Sequence, residues 1–200
     1  MLPKQIILCR HVEKPKDPAN HGASRKGEAR AQYLAQFFLT PNTTFNKPDF
    51  IYAFTKKASG LDNRSYEAME PLIKIGTYDS DKVNTTFGDS KSDSLSMISD
   101  VLKNHGGETV LICWEHNVLP MMIQSIGQHI SSDDVFHEFQ SWNANPSKTE
   151  TDNELYSLTI VIDVPRKCLT AISQSDNYDS KQDKFIFDAN SFSRILFKMP

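Results

Sequence analysis

Ile6–Ile7–Leu8–Cys9–Arg10–His11–Val12–Glu13 is the stretch on which the fold turns. Four apolar residues run straight into an arginine and a histidine. A short apolar run without polar alternation suits a strand buried on both faces, as in the middle of a parallel sheet. Arg10 and His11 then stand at or just past its C-terminal end, the edge at which open α/β sheets bind ligands. A guanidinium is a planar fork that fits phosphate oxygens. An imidazole is a nucleophile or general base near neutral pH. The same dipeptide also occurs as an ordinary pair in a β–α loop, so the rest of the chain has to decide.

A second unit repeats the pattern. Thr109–Val110–Leu111–Ile112–Cys113–Trp114 is the strongest strand signal and ends in Glu115–His116–Asn117. Leu119, Met122, Ile123 and Ile126 then form a helical stripe expected to stop at Gly127. Asn117 is the expected N-cap, with Pro120 in the first turn. His116 is thus expected beside a helix N-terminus, a ready anion site.

Between the two units, Ser24 precedes Ala31, Leu34, Ala35 and Phe38, an amphipathic helix with its N-cap. The Pro-rich loop from Lys14 to Ala23 is long for a β–α connection. Asp49 to Phe54 reads as a strand, and Thr55 to Asn63 as a polar loop. A helix opens at Arg64, with Tyr66, Met69 and Ile73 on one face and Pro71 expected to weaken or kink it. Lys82 to Phe87 is a weak strand. Leu95, Ile98 and Leu102 mark a helix closing near Gly106–Gly107. After a polar stretch from Gln128 to Asp152, Leu155 to Val164 and Lys167 to Ile172 read as a hairpin. The segment 176–200, with Phe185, Phe187, Ile195, Leu196 and Phe197, has no evident place.

The chain has 200 residues, 38% hydrophobic and 24% charged, which suits one soluble domain over residues 1–200. A net charge of −3 argues against binding nucleic acid through phosphate neutralisation. No apolar stretch reaches the roughly 18–20 residues of a membrane span, and Met1 to Gln5 lacks signal-peptide character. Cys9, Cys113 and Cys168, an odd number, read as reduced thiols, so a cytoplasmic protein without a membrane is expected.

Several chemistries fall away. There is no P-loop and no Gly-x-Gly-x-x-Gly after a strand. The Cys-x5-Arg loop fails at each cysteine, where Pro15, Leu119 and Gln174 take the arginine's place. Neither His-Glu-x-x-His nor paired Cys-x-x-Cys is present, so neither metal nor cofactor is expected. His21, His105, His129 and His137 lie in polar segments and read as surface residues.

The ordered set is Arg10-His11 after the first apolar strand, Arg64-Ser-x-x-x-Met-Glu-Pro-Leu opening a helix, and His116 after a later strand. Over about residues 5–165 this resembles the histidine phosphatase superfamily, in its short branch without a large cap insertion. The resemblance implies a phosphoglycerate mutase-like fold: α/β, three layers αβα, with a mostly parallel central sheet. It also implies a metal-independent phosphatase working through phosphohistidine. Arg10 and Arg64 would clamp phosphate oxygens, a protonated His116 with Asn117 beside it would add donors, and His11 would attack phosphorus. The other nitrogen of His11 should then donate to a carbonyl that fixes the tautomer. The implied partner is a small phosphorylated substrate or a phosphoprotein.

The chain also departs from the family pattern. Val12 and Glu13 follow the Arg-His pair where many relatives have glycine, and Ala68 stands where the family has a threonine. Asn117 stands where some branches carry an acidic proton donor. Asp89 is then the candidate general acid, with Glu13 and Glu115 as rivals. The alternatives are a phosphoglycerate mutase-type phosphotransferase and a catalytically weak phosphate-ligand binding protein on the same fold.

Overall fold

The computed structural model describes residues 1–17, 19–20, 22–54, 63–88, 90–131, 158–173, 178–182, 184–185 and 193–196. Among these, strands and helices alternate at first: β1 (Gln5–Arg10), α1 (Arg25–Leu39), β2 (Phe50–Ala53), α2 (Arg64–Ile75), β3 (Val83–Asn84), α3 (Lys91–Asn104), β4 (Thr109–Trp114) and α4 (Leu119–His129). Five strands follow: β5 (Leu158–Asp163), β6 (Cys168–Ser173), β7 (Tyr178–Asp179), β8 (Lys184–Phe185) and β9 (Ser193–Leu196).

One sheet has the order β3-β2-β4-β1-β5-β6-β9, and β7 pairs with β8 apart from it. Each helix between the first four strands is a crossover, which makes β3, β2, β4 and β1 parallel. The chain then returns antiparallel along the free side of β1 as the expected β5–β6 hairpin, and β9 extends β6. The sheet is mixed, and most of its strands point the same way.

Residues along β1 and β4 alternate between two cores, and every one of them is buried. Ile6, Leu8, Val110 and Ile112 meet Ile98 of α3 and Met122 of α4. Ile7, Cys9, Leu111 and Cys113 meet Leu34 of α1 and Met69 of α2. The result is the expected three-layer αβα arrangement. Each fully buried isoleucine or leucine contributes roughly 1.5–3 kcal/mol, so these two central strands anchor both cores.

Several local expectations change. Ser24 does cap α1, accepting from the Gly27 amide at 3.0 Å. Asn117 does not cap α4: Val118 holds that position, without a side-chain hydrogen bond. α4 also continues past Gly127, because a glycine weakens a helix interior without ending it. α2 runs through Pro71 to Ile75. Leu95 is 41% exposed, and α3 buries Ser94, Met97, Ile98, Val101 and Leu102 instead.

His105 is buried rather than on the surface. Its Nε2 lies 2.8 Å from the Tyr52 hydroxyl and its Nδ1 2.6 Å from Glu108 Oε2. The C-terminal apolar residues find a partial place: Phe185 packs on Tyr33 and Arg30 of α1, and Ile195 and Leu196 lie in β9. The polar loop 55–62, Asp89, His21, His137 and most of the stretch after Ser131 lie outside the described residues.

Candidate active site

The β1–β4 register sets the geometry. Arg10 pairs with Trp114, and the His11 amide donates to the Trp114 carbonyl at 3.1 Å. One step beyond the paired strands, His11 therefore comes level with Glu115 at the C-terminal edge. His11 is fully buried and Arg10 nearly so. His11 Nδ1 lies 2.7 Å from the Val12 carbonyl oxygen. A carbonyl only accepts, so Nδ1 carries the hydrogen and Nε2 is the ring nitrogen left for chemistry. Arg64, 5% exposed, is the first residue of α2, where backbone dipoles also favour an anion.

Glu115 is the hub of the site. One of its oxygens, Oε2, lies 3.3 Å from His11 Nε2 and 3.8 Å from His116 Nδ1. Its other oxygen, Oε1, lies 3.7 Å from Arg64 Nη2. Burial alone would raise the Glu115 carboxyl. The hydrogen bond and charge of His11, with Lys14 and Arg64, outweigh that and bring it down to about 2. Glu115 is therefore an ionised carboxylate gathered among cationic and donor groups.

His116 behaves differently from expectation. Burial, and after it the positive charge of Arg10, lower its imidazole to about 4, against the pull of Glu115. It is neutral at pH 7 in this arrangement, not protonated. The sequence reading missed this because the charge of a neighbouring strand cannot be read along the chain.

The remaining candidates separate. Asn117 is exposed, and Asp89 lies outside the described residues. Glu13 turns to α1, where its Oε1 lies 2.7 Å from both Nε and Nη2 of Arg30. That leaves it badly placed as a rival proton donor. Residue type marks Glu115 only as a candidate acid; its contact with His11 comes from the register of β1 on β4. Aligning the two apolar runs as parallel neighbours would have set His11 opposite Glu115.

His11, Glu115 and His116 present ligand atoms within 4.8 Å of one another, a spacing that suits a metal ion. The guanidinium of Arg64 on the same carboxylate, and the charge of Arg10 on His116, both oppose a cation there. A separate cavity of about 600 Å³ between α1 and α2 is lined by Glu28, Glu67 and Glu70, an acidic wall unsuited to phosphate.

No family model and no curated protein matches the sequence. Solved structures do resemble it. A candidate phosphohistidine phosphatase, SixA from Agrobacterium tumefaciens, superposes with a TM-score of 0.52 at 14% identity, covering 82% of this chain and 93% of its own. A second candidate SixA, from Nakamurella multipartitia, gives 0.47 at 15% identity over 80% and 85%. A phosphoglycerate mutase from Plasmodium falciparum gives 0.44 at 13% identity over 94% and 96%. The crossover topology and the first of these likenesses together give this chain a phosphoglycerate mutase-like fold.

Proposed function

We propose that the chain is a metal-independent phosphatase that acts through a phosphohistidine on His11. One observation carries the reading: His11 Nδ1 is committed to the Val12 carbonyl while Nε2 is turned to the point that Arg64 and His116 also face. Phosphoryl transfer needs little besides positioning and charge stabilisation, and two arginines with a histidine supply both. His11 Nε2 forms the bond to phosphorus as the bond from phosphorus to the leaving oxygen breaks. Water then attacks the phosphohistidine, releasing inorganic phosphate and restoring the imidazole. The leaving oxygen takes a proton from an acid, for which Asp89 remains the proposed group, or departs as a stable anion. Acyl phosphates, phosphohistidine and aryl phosphates, on small molecules or on proteins, are accordingly the best substrates.

Rapid-quench mixing with a histidine-phosphorylated protein in chelator-containing buffer, followed by mass spectrometry, tests this. A phosphoryl group on His11 is expected. Turnover without any labelled histidine, or activity that disappears with chelator and returns with zinc or magnesium, overturns it. The contact of Glu115 with the nucleophile favours a second reading, a weak catalyst that mainly binds phosphorylated ligands. Binding without turnover would select it.

A further inference from the structure

The Glu115 carboxylate touches three of the groups that the phosphatase reading assigns to the substrate's phosphoryl group: His11, Arg64 and His116. To these partners a carboxylate and a phosphoryl group offer the same thing, anionic oxygens at the range of N–H donors. We propose that Glu115 is a resident anion standing at the phosphoryl position, which substrate must displace, so that the site discriminates against free inorganic phosphate. The proposal rests on the phosphatase reading and deepens it by naming what the pocket selects.

The physical argument is competition. His11 Nε2 and Arg64 Nη2 cannot serve Glu115 and a phosphate oxygen from the same direction, and two anions in contact repel each other. While Glu115 is in place, His11 Nε2 faces a carboxylate oxygen at 3.3 Å, at the position a phosphorus atom would have to approach. The Glu115 side chain is 15% exposed, which leaves it an edge on solvent along which to withdraw. Inorganic phosphate brings only its own oxygens to this exchange. A phosphorylated substrate brings contacts from the rest of its body, so it displaces Glu115 where the product does not. The substrate class that fits is a phosphorylated molecule with a substantial body, a phosphoprotein or a large phosphometabolite. Weak product retention follows from the same competition.

Calorimetric titration with inorganic phosphate at pH 7 tests the proposal. Glu115→Gln and Glu115→Ala should bind phosphate about 10- to 100-fold more tightly than wild type, the size of effect that one like charge at contact produces. Adding Arg64→Ala to either variant should erase the gain. Thermal melting checks that both variants are folded, and the alanine variant serves if the amide of the glutamine forms a new bond to His11. If both variants bind phosphate no tighter than wild type while Arg64→Ala weakens wild-type binding, the resident-anion proposal fails and the phosphate pocket stands. If phosphate binds to none of these proteins, both readings fall.

Discussion

Arg30 holds Glu13 by two nitrogens, Nε and Nη2, each 2.7 Å from the same carboxylate oxygen, with both side chains buried. The pair lies 17 residues apart in sequence and ties α1 to the segment directly after His11. Arg30 also stacks over the Phe185 ring, its guanidinium carbon 4.2 Å from the centroid. Arg30→Ala leaves the buried Glu13 carboxylate to the more distant Lys26, 3.7 Å away, and should cost up to about 3–5 kcal/mol in urea unfolding. Replacing both residues by apolar ones of similar size should cost much less, because no unpaired charge remains. A single-variant loss under about 1 kcal/mol would show the pair to be solvated in practice.

Gly27 is a second contact that fixes the same segment. A Cβ on it would meet the Glu13 carbonyl oxygen at 2.6 Å and the Glu13 amide nitrogen at 3.2 Å, both backbone atoms. Alanine is worth about 1 kcal/mol over glycine within a helix. Overpacking against backbone costs about 1–3 kcal/mol. The steric cost should win, so Gly27→Ala should lower both stability and turnover, since Val12 beside Glu13 carries the carbonyl that orients His11. A stabilised, fully active Gly27→Ala would mean that α1 shifts freely from the loop.

These two contacts show where the sequence stops being readable. β1 and β4 were legible because unbroken apolar runs have one reading in a parallel sheet, and the helix at Arg64 was legible from periodicity. The pairing of β1 with β4 was not, since nothing within either run encodes its neighbour, and with it went the meeting of His11 and Glu115. Glu13 looked like a pocket residue because it follows Arg10-His11, and only the packing of α1 reveals Arg30. Leu95 keeps the spacing that marks α3 yet is 41% exposed, because a leucine at that spacing on a short amphipathic helix can still sit at the edge of the buried arc.

Tyr52 joins β2 to α3 far from the pocket. Its hydroxyl donates to Asp100 Oδ2 at 2.5 Å and lies 2.8 Å from His105 Nε2, and His105 Nδ1 lies 2.6 Å from Glu108 Oε2. Burial, and after it Asp100, push the phenol well above its ordinary range, so it remains a donor. Glu108 immediately precedes β4, at the end of that strand opposite Glu115. Tyr52→Phe should cost about 1–3 kcal/mol by leaving buried partners unsatisfied, with kcat unchanged. A fall in kcat out of proportion to the folded fraction would argue for coupling across the sheet.

Acid should weaken the fold in two stages. The His116 imidazole is lowered from 6.5 to about 4, so between those values the unfolded chain binds a proton that the folded chain does not. Stability therefore falls as pH drops from 6.5 towards 4. Glu115, lowered from 4.5 to about 2, adds stability above pH 4.5 that is lost as pH falls towards 2. His116→Asn should flatten the upper part of a melting-temperature profile and Glu115→Gln the lower part. A wild-type profile that is level from pH 7 to 4 would contradict the burial of His116.

The proposed catalytic roles separate by substitution. His11→Ala removes the proposed nucleophile and should abolish phosphoenzyme formation, whatever substrate is offered. Arg64→Ala leaves the nucleophile and removes one charged contact, which typically costs about 2–4 kcal/mol of transition-state stabilisation, or roughly 30- to 1000-fold in rate. Arg64→Lys should recover only part of this, because an ammonium is not a planar fork. Asp89→Asn discriminates by leaving group. If Asp89 gives the proton, the loss should be large on alkyl phosphates and small on 4-nitrophenyl phosphate, whose leaving oxygen needs none. Equal small losses on both would make Asp89 a loop residue and return the search to Glu115, which would then have to acquire a proton despite sitting at about 2. Full phosphatase activity in His11→Ala would defeat the phosphohistidine mechanism altogether.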